Sequence, residues 1–364
     1  MKKSIIFITA VFSALLMAGC LSKGKTSASA GTQSTQGASA TQENASVSTV
    51  ASALPASGND SIERAANYAD WAGCRRSSYG FKPYKPSVED FTDYVGTMSS
   101  FFKKSKTENA TGALIWIVGE VSNKAGISSK LNFPKPSGLT IPRWLGFSKE
   151  DFNEEYLTAF DKAGYDVWLQ VEPGYVDIEQ LATIVMTQYK HHPCVKGFGI
   201  DVEWYQNTTD GEDGTPIDDA TAEKVDLAVK AVNPSYSVFV KHWDQGFLPP
   251  EYRGLNNDMI FVTDSQYFYS LKEMADYYTG WAEYYAPSPV FFQIGYEGEK
   301  KNWKDPNEIG SDEKLWRTFD KPLQGLGQFI LDNLLESDVE DVKEQKKGIF
   351  WVDFTLRKAY GMSK

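Results

Sequence analysis

The chain has 364 residues, a formal net charge of −11 and a sequence pI near 5.0. No cluster of Lys and Arg interleaves with its aromatic residues, which excludes the basic surface that nucleic acid requires. With ten tryptophans, the acidic chain suits a neutral or amino-sugar polymer better.

Taken from the start, Lys2 and Lys3 form a basic opening, and the apolar run Ile5 to Met17 is too short to span a bilayer, the pattern of a secretory signal. Small residues then lead to a cysteine in Leu16-Met17-Ala18-Gly19-Cys20, which resembles the lipobox of bacterial lipoproteins. That resemblance implies cleavage after residue 19, lipidation of Cys20, and a membrane-anchored protein in the periplasm or on the outer face of the envelope. The alternative is an ordinary signal peptide with a chance cysteine. Residues 20–60 are almost wholly Ser, Thr, Ala, Gly and Gln without an aromatic, so they cannot bury enough apolar surface to offset the entropy of ordering and form a flexible tether. Residues 61–364 are long enough for one large domain with a substantial core, expected as a monomer. The remaining cysteines, Cys74 and Cys194, fit either a disulfide or two buried thiols, because sequence does not give their separation.

Short apolar runs alternate with amphipathic segments along this domain. Strands are predicted at Ala113 to Gly119, Asp166 to Glu172, Val195 to Glu203, Ser237 to Trp243, Met259 to Asp264, Pro289 to Tyr296 and Gly348 to Phe354, with an eighth near Tyr68 to Phe81. Helices are predicted at Ser87 to Lys104, Lys149 to Lys162, Ile178 to His191, Asp219 to Val232, Leu271 to Tyr285 and Trp316 to Leu335. This alternation predicts βαβ units and an α/β fold, a single-domain (β/α)8 TIM-type barrel. A doubly wound open sheet is the alternative, but no glycine-rich phosphate loop follows any strand.

In such a barrel alternate strand residues face inward, and reactive groups gather at the strands' C-terminal ends. The alternation turns Trp168, Gln170 and Glu172 inward, then Gly197, Gly199, Asp201 and Glu203, where glycines make room and carboxylates sit at the top. It also places Lys241, the set Gln293, Gly295 and Glu297, and the set Trp351, Asp353 and Thr355 inside. The alternative is that such charges pair as a buried ion network, Lys241 with Asp201 for example. Asp201 and Glu203 lie two apart on one strand, close enough for one to stay charged while the other holds a proton. Glycoside hydrolysis needs that division, and Glu172 is the candidate second carboxylate. The catalytic set is therefore Glu203, Asp201 and Glu172. Substrate contacts are expected from Lys241, His242, Asp264, Gln266, Gln293, Tyr296, Asp353, Trp204, Tyr205 and Trp351. Trp116, Trp243 and Tyr267 are further candidate stacking aromatics, although most barrel aromatics pack the core.

The run Gly199-Ile-Asp-Val-Glu-Trp-Tyr205 resembles the fourth-strand signature of the chitinase-like glycoside hydrolase family 18. Asp201 and Glu203 match two of its acidic positions, but Tyr205 stands where that family has its catalytic glutamate, so the substrate-assisted mechanism does not carry over intact. Asp201-Val-Glu203 also resembles the strand end of lysozyme-type family 25 barrels, which implies that Glu203 is the acid. Leu169 to Gly174, Lys241 to Trp243, Asp264 to Gln266 and Phe350 to Phe354 are similar to features of glycosidase-like bacterial barrel proteins, a resemblance spanning roughly residues 68–360.

A polysaccharide-cleaving glycosidase without a cofactor is thus the first expectation, with a poly- or oligosaccharide as partner. A non-catalytic glycan-binding barrel is the second, favoured by Tyr205. A metal-dependent hydrolase or deacetylase is the third. The chain has only three histidines; His191 and His192 lie at a helix end, where they are expected to cap carbonyls rather than bind metal, and His242 with carboxylates is a poor zinc set. A serine hydrolase lacks its Gly-x-Ser-x-Gly elbow.

Overall fold

Eight parallel strands close on one another, with helices packed around the outside. The computed structural model describes residues 65–77, 86–209, 214–264, 267–299 and 314–360, all within one compact unit. The predicted signal segment, Cys20, the tether and Gln266 lie outside the described residues, as do residues 78–81 of the predicted eighth strand.

In chain order the elements are β1 (Trp71–Arg76), α1 (Val88–Phe101), β2 (Thr111–Val121), the short β3 (Ser129–Leu131) and β4 (Leu145–Phe147), and α2 (Glu154–Ala163). Next come β5 (Asp166–Val171), α3 (Ile178–Tyr189), β6 (Val195–Asp201), α4 (Asp219–Val232), β7 (Ser237–Lys241) and β8 (Ile260–Thr263). The chain continues through α5 (Leu271–Tyr285), β9 (Val290–Ile294), α6 (Pro322–Asn333), α7 (Asp341–Glu344), β10 (Lys347–Val352) and α8 (Asp353–Ala359). Around the barrel the order is β1-β2-β5-β6-β7-β8-β9-β10, and β10 pairs in parallel with β1 to close it. The short β3 pairs antiparallel with the end of β2 and carries β4 outside the ring.

Helix starts follow local chemistry. Ser87, Asp177, Asp218 and Ser270 each accept a hydrogen bond from a first-turn N–H of α1, α3, α4 and α5; such a cap contributes about 1 kcal/mol. Helix α2 begins later than its pattern predicts because Asp151 is spent on a turn, accepting from the N–H groups of Asn153 and Glu154 at 2.8 and 3.1 Å. The predicted helix over Trp316 to Leu335 divides into a 3-10 turn, Leu315–Thr318, and α6. Pro322 at the first turn of α6 lacks the N–H that a continuous helix would need there.

The barrel interior is floored by aromatics. Trp71 meets Trp168 edge-on at 5.3 Å and Phe291 at 5.6 Å, and Phe291 meets Phe350 at 4.7 Å. Phe239 fits because the facing position on β6 is Gly199, where an added Cβ would lie 1.9 Å from the Phe239 ring. Outward residues of the same strands, such as Leu169, Phe198, Ile200 and Val240, join the larger core beneath the helices. Apolar closure of the lower interior leaves the polar inward positions only the strands' C-terminal ends.

Candidate active site

The polar layer above the aromatic floor is organised by one cation. Lys241, the last residue of β7, is 2 % exposed and places its Nζ 3.0 Å from Asp201, 2.6 Å from Glu203 and 2.5 Å from Asp264. Asp201 ends β6, and the chain then leaves the sheet through a 3-10 turn, Val202–Trp204, closed by the Tyr205 N–H donating to the Val202 carbonyl at 2.9 Å. Glu203 therefore reaches Lys241 from that turn rather than by strand alternation. Asp264 follows β8 directly and is 1 % exposed. Gln170 donates to Asp201 at 2.8 Å, and the Arg75 guanidinium stands 3.6 Å from the same Asp201 oxygen.

Two acids beside the same ammonium divide their protons unequally. Burial and the repulsion of Asp264 push Glu203 well above the usual carboxylate range, against the pull of Lys241. For Asp264, burial is outweighed by Lys241 and by a hydrogen bond with Glu203, which hold it at about 2. Glu203 thus holds its proton to higher pH than an ordinary carboxylic acid while Asp264 gives its own up early, the kind of division that general acid chemistry requires. Glu203 keeps 14 % of its side chain exposed, against 1 % for Asp201 and Asp264, so it is the member of the trio that reaches solvent.

A second polar group lies across the mouth. Asp353, at the start of α8, accepts from the Ser77 N–H at 2.6 Å and from its hydroxyl. Burial pushes Asp353 up to about 6, although Arg75 pulls the other way. The Tyr296 hydroxyl donates to Gln293 at 2.7 Å, and burial together with Asp264 keeps this phenol protonated. Several buried atoms here have no hydrogen-bond partner among the described residues: Gln170 Oε1, Asp264 Oδ1, Gln293 Nε2 and Arg75 Nε. They mix donors with acceptors.

The structure brings Asp201, Glu203, Lys241 and Asp264 together and sets Gln293, Tyr296 and Asp353 in the surrounding layer. The Glu172 carboxylate accepts from the Val121 N–H of β2 at 2.9 Å and its charge acts on Arg75, while Asp264 and Asp201 are the carboxylates that share Lys241 with Glu203. Other expected residues stand apart. Trp351 points out of the barrel, fully buried against Trp316 with its indole N–H on Thr355 at 2.9 Å; it cannot stack on a sugar. Strand alternation misplaced it because Phe350, not Trp351, fills the inner face of β10. Trp116 likewise packs outward between Phe91, Tyr156 and Phe160.

Gly295 takes a left-handed φ of +89° just after β9 and ends the alternation there. Glu297 is accordingly not inward: it pairs with Lys314 and, at 3.1 Å, with Lys358. Tyr205 lines a separate cavity of about 350 Å³ with Tyr175, Asp177 and Lys224. Trp204 stands in the turn beside it, partly buried. Trp243 and Tyr267, by contrast, are 41 % and 56 % exposed just past β7 and β8. His242 is buried, its Nδ1 accepting from the Asp244 N–H at 2.9 Å and its ring stacked on Phe247 at 4.1 Å; burial lowers its pKa. His191 and His192 engage the carboxylates of Glu154 and Asp161 instead of capping carbonyls. Cys74 and Cys194 are both buried free thiols, which resolves the disulfide alternative.

Two members of the site do not emerge from the sequence, Arg75 and Ser77, which lie at the end of β1 and just after it. Glu299 lies beyond a strand end, and no periodicity points to it. It is fully buried, both its oxygens accept from the Gly295 N–H at 2.8 and 3.0 Å, and burial lifts it from 4.5 to about 8. A raised folded value means that the native state keeps a proton the unfolded chain has lost. The Glu299 contribution is complete below about pH 4.5 and is lost progressively up to about pH 8. Denaturant titrations from pH 5 to 8 are expected to show wild type losing ground against Glu299→Gln by roughly 1.4 kcal/mol per pH unit. Parallel curves for the two proteins would mean that Glu299 ionises normally.

No family model matches the chain and no curated protein matches it. Among solved structures, the chain is similar to a candidate alpha-L-fucosidase from Bacteroides thetaiotaomicron at 9% identity and a TM-score of 0.41, with 88% of this chain and 97% of that chain covered. It is also similar to the beta-glucuronidase of Parabacteroides merdae, at 11% identity and a TM-score of 0.40, and to beta-glucuronidase 3 of Bacteroides uniformis, at 14% and 0.33. The alignments cover 79% and 57% of this chain but only 33% and 27% of those glucuronidase chains. These structural neighbours are glycosidase-like proteins at very low identity, so the chemistry of this chain has to be read from its own side chains.

Proposed function

We propose that this protein is an exported, membrane-anchored glycoside hydrolase of the barrel type, in which Glu203 gives its proton to the glycosidic oxygen of a poly- or oligosaccharide. The observation that carries this reading is the shared ammonium: Glu203 and Asp264 meet at Lys241, with Glu203 pushed up and Asp264 held down. After the proton leaves, the new Glu203 carboxylate already has Lys241 at 2.6 Å, so the charge forms beside a fixed cation and needs no reorganisation. Water then adds to the anomeric carbon and returns a proton to the Glu203 carboxylate, which completes the hydrolysis, while the Asp264 anion is available to the positive charge that develops on the sugar ring. Exposed Trp243 and Tyr267 offer faces on which sugars can stack. The lipid anchor on Cys20 and the tether through residue 60 would hold the barrel, residues 61–364, at an envelope surface.

A glycan-binding barrel without catalysis is the second reading, favoured by the same trio, because Lys241 with three carboxylates is also a self-satisfied ion network. The two separate in one experiment. Full-length protein is incubated with peptidoglycan, chitin and plant polysaccharides, and both retained glycan and new reducing ends are measured. Release of reducing ends from one polymer is the expected result. Retention without release establishes the binding module, and neither retention nor release from any polymer refutes the carbohydrate reading.

A further inference from the structure

We infer that Glu154, His191 and His192 form a zinc site on the outside of the barrel, joining the start of α2 to the turn after α3. The site is remote in chemistry from Lys241 and its carboxylates and is independent of the reaction proposed there. His192 is the built element. Its side chain is 3 % exposed, and its Nδ1 lies 2.6 Å from Asp161 Oδ2, while the other Asp161 oxygen is fixed by the Cys194 N–H at 2.8 Å. A carboxylate on Nδ1 selects the tautomer that carries its proton there and leaves the Nε2 lone pair free, the arrangement by which metal-binding imidazoles are oriented.

That Nε2 is buried and makes no hydrogen bond among the described residues, although Glu154 Oε2 lies 3.3 Å away. The same distance separates His191 Nε2 from Glu154 Oε1. Two donors each about 2.0–2.1 Å from a tetrahedral zinc are themselves roughly 3.3 Å apart, so the misaligned contact has the spacing of neighbouring ligands. One ligand atom from each residue lies within 4.8 Å of the others, and the two imidazole rings are 4.1 Å apart. Two imidazoles and a carboxylate are a zinc donor set that leaves a fourth position to water. His191 and Glu154 are 54 % and 48 % exposed, which gives the ion a direct path in. A rival set, Asp161 with His192 and Cys194, is already committed: Asp161 to His192 and Cys194 N–H, and the Cys194 thiol to the Leu157 carbonyl at 3.6 Å.

The test uses full-length protein stripped with a chelator and returned to Zn²⁺, with stoichiometry and affinity read by equilibrium dialysis and Co²⁺ substitution read by its visible ligand-field bands. One zinc per chain is expected, with a raised melting temperature on binding. His191→Ala and Glu154→Gln, both surface changes, should each weaken binding at least tenfold and remove that thermal shift. Asp161→Asn, which frees the imidazole from its orienting carboxylate, should weaken it by about 10- to 100-fold. Wild type that binds no zinc, or zinc binding unchanged by His191→Ala and Glu154→Gln together, overturns the site. Hydrolysis of glycan is not part of the readout, so failure here leaves the reading of Glu203 untouched.

Discussion

Glu203→Gln is expected to lower glycan hydrolysis by roughly 10²- to 10⁴-fold, the contribution of a positioned general acid. The amide keeps the size of the side chain and an oxygen for Lys241, which touches Glu203 at 2.6 Å, so folding and sugar retention should persist. The variant lacks only the transferable proton. In wild type the rate should fall as pH rises through the elevated Glu203 value, because only the protonated acid can donate. Asp264→Asn tests the cause of that elevation: without the neighbouring anion, which ranks after burial among the groups lifting Glu203, the alkaline limb of the profile should move to lower pH. Reducing-end release measured across pH checks both variants, and full activity in Glu203→Gln would remove this side chain from the reaction.

Lys241→Met should be the most destabilising single change at the mouth, costing about 3–5 kcal/mol, because it leaves buried carboxylates without their counter-ion. Methionine matches the length of the stem, so little of the loss would come from packing. Most of it should come from Asp201 and Asp264, each 1 % exposed beside Lys241. The sign with pH follows from Asp264. Lys241 holds it at about 2, below its ordinary 3.8, so this stabilisation is present above about pH 4 and fades as pH falls toward 2. Without the lysine, burial raises the acid instead, and protonation on acidification relieves the penalty. The gap between wild type and variant, read by denaturant melts, should therefore be widest near neutrality and narrow on acidification. A small gap of the same size at every pH would show that the three contacts contribute little.

The barrel was legible from the sequence because its cause is local and repeated. Apolar alternation at Val167, Leu169 and Val171, or at Phe198 and Ile200, sets one face of a strand under helices whichever strand lies next to it, and capping residues such as Asp177 and Asp218 mark helix starts within a few residues of chain. Even Asp201 and Lys241 could be placed inward this way. Alternation stops being informative where the strand stops. Glu203 sits in a 3-10 turn, Gly295 adopts a left-handed backbone, and α8 begins at Asp353, so side chains beyond these points are aimed by tertiary packing. Glu299 escapes the sequence for that reason, whereas Trp351 and Arg75 lie within β10 and β1, where the phase of the alternation decides the face.

Chain order alone carries the alternation of strand-period and helix-period apolar runs through a long acidic domain, and the clustering of carboxylates near strand ends. Which of those carboxylates share a cation is settled in three dimensions. Closure of the ring brings Asp264 of one segment and Glu203 of another to the single ammonium of Lys241, and it leaves Glu172 on the Val121 backbone. The physical reason is that proton affinity in a buried site depends on charges a few ångströms away in space, and those neighbours come from segments far apart along the chain.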